Sequence, residues 1–205
     1  MKRPPVVLPI TPGSTSDSGL PQLFASLRRL QIGGGLGVLL REPNLSDRAS
    51  LELALFAREL FMDGWVGVHD RVHVATSSEA DAVHLGFRSL RPELVKTMGL
   101  DSLAVGHSQH SAELQDEDME ADYRLIGPVY STPSKDGLVD PLGVRALDSL
   151  LMAERTWAVG GIGPDEAPEV LRAGVAGVAC IGSIFGVGDP AVGIRDMLRA
   201  TSGHE

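Results

Sequence analysis

The sequence predicts an α/β protein of the (β/α)8 TIM-barrel class, and three observations predict it. Short apolar runs alternate with longer amphipathic ones along the whole chain, the pattern of parallel strands joined by helices. The pattern repeats eight times within 205 residues, near the lower end of the usual size for a closed barrel. The apolar runs are near-continuous, as strands covered on both faces require. No composition shift or Pro/Ser-rich linker divides the chain, so residues 1–205 read as one domain. An open doubly wound sheet would place a G-x-G-x-x-G turn after the first strand. The residues there are Thr11-Pro12-Gly13-Ser14-Thr15-Ser16, which do not match.

The elements follow in order. Val6–Ile10 is the first strand, and the helix from Leu20 to Ile32 carries Leu23, Leu27 and Leu30 at helical spacing. Gly33-Gly34-Gly35 stops that helix. Leu36–Glu42 is the second strand. Ser46 caps a helix that runs to Phe61. Trp65–Asp70 is the third strand, with a helical connection over Val72–Ala80. Ala82–Gly86 is the fourth, with Pro at a tolerated early position of the helix Pro92–Met98. Leu103–His107 is the fifth strand, followed by a helix over Ser111–Glu120. Tyr123–Val129 is the sixth, followed by an aperiodic loop over Tyr130–Asp140 and a helix over Val144–Ala153. Thr156–Ile162 and Gly177–Ile181 are the last strands, and the helices Pro164–Ala173 and Pro190–Arg199 follow them. Trp65 and Trp157, near strand starts, read as packing under the barrel floor.

Composition narrows the function classes. Lys and Arg total 18 against 27 Asp and Glu, a net charge of −9, which argues against a nucleic-acid groove. A single Cys forms no internal disulfide, so nothing calls for an oxidising compartment. Cys180 itself reads as a small buried hydrophobe. No run of about 18 apolar residues marks a membrane span. The apolar run after Met1-Lys2-Arg3 is too short for a signal peptide, so the expectation is a cytoplasmic protein.

A barrel carries its function at the C-terminal ends of its strands. Those positions hold Arg41 and Glu42, then His69, Asp70 and Arg71, then His84 and Gly86, then His107 and Ser108. The loop after strand six holds Tyr130, Ser131, Thr132, Ser134 and Lys135. Strands seven and eight end differently, in Gly160-Gly161-Ile162 and in Ile181-Gly182-Ser183-Ile184-Phe185-Gly186. Glycines there leave backbone N–H groups uncovered, and Ser183–Phe185 can open a short helix pointing its N–H groups inward. Such a pair of strand ends binds phosphate without a side-chain charge. The expectation is a phosphorylated small molecule held by Gly160, Gly161, Ile181, Gly182 and Ser183. The alternative for these glycines is tight turns alone.

Several motifs occur in one order and spacing: Val68-His69-Asp70-Arg71-Val72, Ala82-Val83-His84-Leu85-Gly86, Ile126-Gly127-Pro128-Val129-Tyr130, Ser131-Thr132-Pro133-Ser134-Lys135, Ala158-Val159-Gly160-Gly161-Ile162 and Ile184-Phe185. As a set they resemble the thiamine phosphate synthase and thiazole tautomerase (TenI) family, over nearly the whole chain. The resemblance implies a barrel that handles a thiazole phosphate.

It also implies one of two activities. The synthase joins a thiazole phosphate to a pyrimidine diphosphate, releases pyrophosphate and uses Mg²⁺. Its pattern is Gln-x-Arg-x-Lys after strand two, Asn-Asp-Arg after strand three and a second metal-binding Asp after strand four. Here Arg41 is kept, while Leu39 and Pro43 replace the Gln and Lys. Asp70, one implied metal ligand, is kept. His69 replaces the Asn, and Ser89 replaces the second Asp. Thr132 and Lys135 match the family's pyrophosphate contacts. Arg41-Glu42, Asn44-Leu45-Ser46 and Leu85-Gly86-Phe87-Arg88-Ser89 look more like the tautomerase, which shifts a proton on a carboxylated thiazole phosphate and needs no cofactor. Its base is a His just after the strand-six Gly, where this chain has Pro128.

His69 and His107 are the substitutes considered for that base, since an unperturbed imidazole titrates near neutrality. His84 reads as a hydrogen-bonded core residue. His73, His110 and His204 read as surface, and Glu42 as ion-paired with Arg41. The acidic segment Glu113–Asp122 reads as a solvated helix face. The leading expectation is therefore a tautomerase-like barrel, with Arg41 and Lys135 neutralising the substrate and His69 or His107 moving the proton. The first alternative is a synthase with a reduced Mg²⁺ site at Asp70. The second is a non-catalytic phosphate-ligand-binding barrel. A homodimer would fit the family, with no sequence feature that specifies it.

Overall fold

In the computed structural model, the described residues are 2–86, 88–111, 120–132 and 140–203. Eight strands are present: β1 Val7–Pro9, β2 Gly37–Leu40, β3 Trp65–His69, β4 Ala82–Leu85, β5 Ala104–Gln109, β6 Tyr123–Ile126, β7 Thr156–Val159 and β8 Gly177–Cys180. They form one parallel sheet in the order β1-β8-β7-β6-β5-β4-β3-β2. The sheet closes just past β1. Ile10 bridges Leu39, and the Thr11 N–H donates to the Leu39 carbonyl at 3.1 Å. The predicted barrel is the observed architecture.

Strand alternation separates two apolar layers. Leu8, Ile10, Leu39, Trp65, Ala82, Ala104, Tyr123, Leu125, Trp157 and Ala179 fill the inside of the barrel. Trp65 and Trp157 both meet the edge of Tyr123, at centroid distances of 5.8 and 6.1 Å. The Trp157 indole N–H donates to the Pro5 carbonyl at 2.8 Å, which plugs the floor as expected. The alternate strand residues, such as Val38, Val66, Val83, Val105 and Val178, face the helices.

The helices are α1 Leu20–Ile32, α2 Asp47–Leu60, α3 Val72–Ser77, α4 Pro92–Lys96, α5 Ala167–Arg172, α6 Gly182–Phe185 and α7 Pro190–Thr201. α1 buries Leu20, Leu23, Leu27 and Leu30, one stripe at helical spacing. Truncating one of these leucines to Ala removes roughly 2–5 kcal/mol. Ser46 caps α2 by accepting the Ala49 N–H at 3.2 Å. The Asp17 carboxylate holds that cap, taking the Ser46 N–H at 2.8 Å and its hydroxyl at 2.6 Å. Asp189 caps α7 and pairs with Arg29 of α1. None of the helices is long and apolar enough to cross a membrane, among the described residues.

Strands β2, β6 and β7 end sooner than expected, at Leu40, Ile126 and Val159, and two further expectations need correction. Val144–Ala153 is not one helix but two 3-10 turns, Val144–Ser149 and Ala153–Arg155. Only Leu147 is buried in the first turn and nothing in the second, so no apolar stripe supports an α-helix. The buried Arg124 guanidinium holds the link between them, donating to the Met152 carbonyl and the Thr156 hydroxyl at 3.0 and 2.8 Å. Strand β5 also runs two residues further than the expected end at His107, to Gln109, so Ser108 and Gln109 belong to the strand. Residues 112–119 of the expected helix over Ser111–Glu120 lie outside the described residues.

Candidate active site

The inward phase of each strand carries on to the mouth. Leu39 points inside, so Arg41 does as well; Trp65 and Gly67 lead to His69, Ala82 to His84, Ala104 and Gly106 to Ser108, and Ala179 to Ile181. The rule moves His107 out of the site. It shares the face of Val105, on the helix side, and is buried. His107 was expected to serve as a base; its side chain faces away from the mouth. Ser108, the next residue of the strand, faces in instead.

Arg41 is half-buried, and among the described residues no carboxylate pairs with its guanidinium. Its backbone N–H donates to the Thr11 hydroxyl at 2.8 Å. Burial pushes the His69 imidazole down to about 4; the Arg41 cation adds to the shift and Asp70 opposes it. His69 is therefore neutral at pH 7 and a poor proton acceptor there. Its ring stands 5.9 Å from that of His84. His84 is fully buried, held well below the ordinary histidine range by burial first and by His69, His107 and Arg41 after it. Its Nε2 lies 2.9 Å from the Ser108 hydroxyl. Its Nδ1 and the Tyr123 hydroxyl have no hydrogen-bond partner among the described residues.

Asp70 is exposed at the end of β3 with φ +67, a left-handed conformation that Asp tolerates better than most residues. Its N–H donates to the His84 carbonyl at 2.8 Å, which turns the chain there. Arg71 then reaches back to the carbonyls of Pro43, Leu45 and Ser46 and to the Ser50 hydroxyl. It clamps the loop between β2 and α2. A cavity of about 140 Å³ opens beside this clamp, floored by Leu40, Leu53 and Val68. The sequence expectation that Glu42 is ion-paired with Arg41 does not hold: its carboxylate instead accepts the N–H groups of Gly13 and Thr15.

The other half of the mouth lies across β1. Gly160 and Gly161 have φ +100 and +67, and a Cβ on Gly161 would stand 2.7 Å from the Ser131 carbonyl oxygen. These glycines let the end of β7 lie directly on the loop after β6. Ile181 leads into α6, whose first residues are Gly182 and Ser183. The N–H groups of Gly161, Gly182 and Ser183 have no acceptor among the described residues. The Ser183 hydroxyl donates to the Ile162 carbonyl at 2.9 Å, and a Cβ on Gly182 would meet nothing within 4 Å. The arrangement is the donor-only surface that an anionic oxygen needs. Thr132 is half-buried in the loop after β6, while Lys135 lies outside the described residues.

Three more residues complete the picture. Pro128, at the tautomerase base position, has no group to move a proton. His110 is half-buried rather than on a surface helix, and its Nδ1 donates to the Gly127 carbonyl at 2.7 Å. Ser89 accepts the Gly86 N–H at 2.8 Å and closes the turn after β4. No cluster of three His, Cys, Asp or Glu able to hold a metal is present among the described residues.

A family profile described as thiamine monophosphate synthase matches residues 8–184, the span that builds the barrel and both halves of its mouth. The chain belongs to the thiamine monophosphate synthase family. It is 36% identical over 179 residues to the thiamine-phosphate synthase of Laribacter hongkongensis, covering 84% of each chain. It is 32% identical over 169 residues to that of Moorella thermoacetica, covering 80% of each. Among solved structures, it superposes on a thiamine phosphate pyrophosphorylase from Pyrococcus furiosus with a TM-score of 0.81 at 29% identity, covering 97% of this chain and 96% of that one. The Laribacter and Moorella relatives carry the synthase name, so the comparison favours the first alternative over the tautomerase expectation.

Proposed function

We propose that this chain is a transferase of the thiamine-phosphate synthase kind, joining a thiazole phosphate to a pyrimidine diphosphate with release of pyrophosphate. The observation that carries the reading is the placement at one barrel mouth of an Arg41 with no carboxylate partner and of Gly161, Gly182 and Ser183 N–H groups with no acceptor, among the described residues, in a chain similar over most of its length to named synthases. The reaction brings together two anions, and the mouth offers two separate groups of donors. The N–H groups suit the thiazole's monophosphate, held without a side-chain charge. Arg41, with Thr132 and Lys135 by resemblance, suits the diphosphate and offsets the charge that builds on it as it leaves.

His69 stays neutral and gives the substrate a hydrogen bond without adding charge. Ser108, oriented by His84, adds a hydroxyl at the same level. Asp70 is the residue that would hold Mg²⁺. One carboxylate is a thin donor set, but it suits an ion whose remaining ligands are substrate phosphate oxygens and water. When bound, the ion neutralises the leaving diphosphate. The tautomerase reading has less support: Pro128 stands at its base position, His107 faces the helices, and His69 titrates too low for efficient proton abstraction near neutrality.

The test supplies the purified chain with both substrates and Mg²⁺. Thiamine phosphate and pyrophosphate should form in equal amounts, and Arg41→Ala should lower the rate while the protein stays folded. No product at any Mg²⁺ concentration would overturn the reading.

A further inference from the structure

Glu42 is a buried carboxylate, 7% exposed, and among the described residues no cation pairs with it. Burying a charge is costly unless hydrogen bonds replace its water. Here two backbone amides do so: Gly13 donates to one oxygen at 3.0 Å and Thr15 to the other at 2.8 Å. Both belong to the segment between β1 and α1. That segment touches Arg41 twice. The Thr11 hydroxyl accepts the Arg41 N–H, and Gly13 lies against the guanidinium so closely that a Cβ there would stand 2.5 Å from Nη1. Gly13 has φ +83, so its conformation also favours glycine.

We propose that Glu42 is a positioning residue for Arg41: its two oxygens pin the 11–15 segment, and the pinned Gly13 sets where the guanidinium sits at the mouth. The proposal rests on Arg41 acting as an anion-binding cation, as described above. An apolar side chain would serve as well to pack a loop, without the desolvation cost. A carboxylate bonded through both oxygens fixes the loop at two points. One of those points is the residue that contacts the guanidinium tip, the part of Arg41 that meets a ligand. A planar fork binds an anion through geometry as much as charge, so a small displacement weakens it.

The experiment is calorimetric titration of inorganic pyrophosphate into the full chain. Glu42→Gln replaces one acceptor oxygen with a donor and should raise Kd about tenfold. In an Arg41→Ala background the same substitution should change nothing further, the signature of coupling between the two sites. In turnover, the diphosphate substrate's KM should rise more than kcat falls, which a loss of stability alone would not produce. Wild-type affinity in Glu42→Gln, or an equal penalty with Arg41 absent, would overturn the proposal. If Glu42→Gln does not fold, Gly13→Ala tests the same contact with Glu42 in place. It too should weaken binding only when Arg41 is present, and unchanged binding overturns the proposal. If Arg41→Ala itself binds pyrophosphate as tightly as the wild type, the role of Arg41 falls, and the inference falls with it. That failure is distinct from additivity between Glu42 and a functioning Arg41.

Discussion

Inside the barrel, His84 Nε2 and Ser108 Oγ lie 2.9 Å apart, one strand from the other and just below the mouth. The contact is a bond between a fully buried ring and a half-buried hydroxyl. Removing the hydroxyl leaves the ring, whose Nδ1 already has no partner among the described residues, without this bond as well. Ser108→Ala should therefore lower stability by about 1–3 kcal/mol, the cost of an unsatisfied buried polar group. Urea denaturation measures it. A loss indistinguishable from zero would mean that the pair contributes orientation and no stability.

The imidazoles at the mouth also predict a pH dependence. His69 is held at about 4 in the folded chain, against 6.5 for an unperturbed histidine, and His84 is shifted in the same direction. The unfolded chain thus takes up protons that the folded one refuses. Stability is fully present above about pH 6.5 and falls as the pH drops toward 4. His69 alone accounts for up to about 3 kcal/mol over that window. Denaturation at pH 7, 6 and 5 should show the slope, and His69→Asn should flatten it. An unchanged slope in that variant would remove His69 from the account.

Much of this was legible in the sequence, and the rest was not for identifiable reasons. The leucines of α1 and the Ser46 cap follow local rules, and they stand where those rules put them. The mouth depends instead on the phase of each strand, where a single step reverses a side chain. His107 reads as a mouth residue only if strand five ends there, and the strand runs two residues further. A signal against it existed. Ala82, Ala104 and Gly106 are small because Trp65, Tyr123 and Trp157 fill the barrel, so the small positions mark the inside, and His107, one step past Gly106, is out of phase with them. Nothing local announced that Glu42 would bond the 11–15 segment or that Arg71 would clamp the loop after β2. Those partners are 25 to 29 residues away in sequence.

Two glycines at the phosphate end should behave in opposite ways. Gly182 faces open space, so Gly182→Asp should fold normally while setting a carboxylate against the free N–H groups. Binding of a thiazole phosphate should weaken at least tenfold, about 1.4 kcal/mol. Gly161 has φ +67 and no room for a Cβ. Gly161→Ala should instead destabilise the fold by roughly 1–3 kcal/mol. Calorimetry and thermal melts on the two variants separate the roles. Unchanged binding in Gly182→Asp would take the phosphate away from the β8 end.

Asp70 offers the sharpest test of the metal. Asn adopts the left-handed conformation about as readily as Asp, so Asp70→Asn keeps the turn after β3 while removing the charge. The side chain is exposed and makes no ion pair among the described residues, so the melting temperature should hold. If Asp70 is the carboxylate that shares Mg²⁺ with the diphosphate, the variant should need about tenfold more Mg²⁺ for half-maximal turnover, since Mg²⁺ prefers hard anionic oxygens. Saturating Mg²⁺ should then restore part of the rate. An unchanged Mg²⁺ requirement would place the ion wholly on the substrate and leave Asp70 as a turn residue.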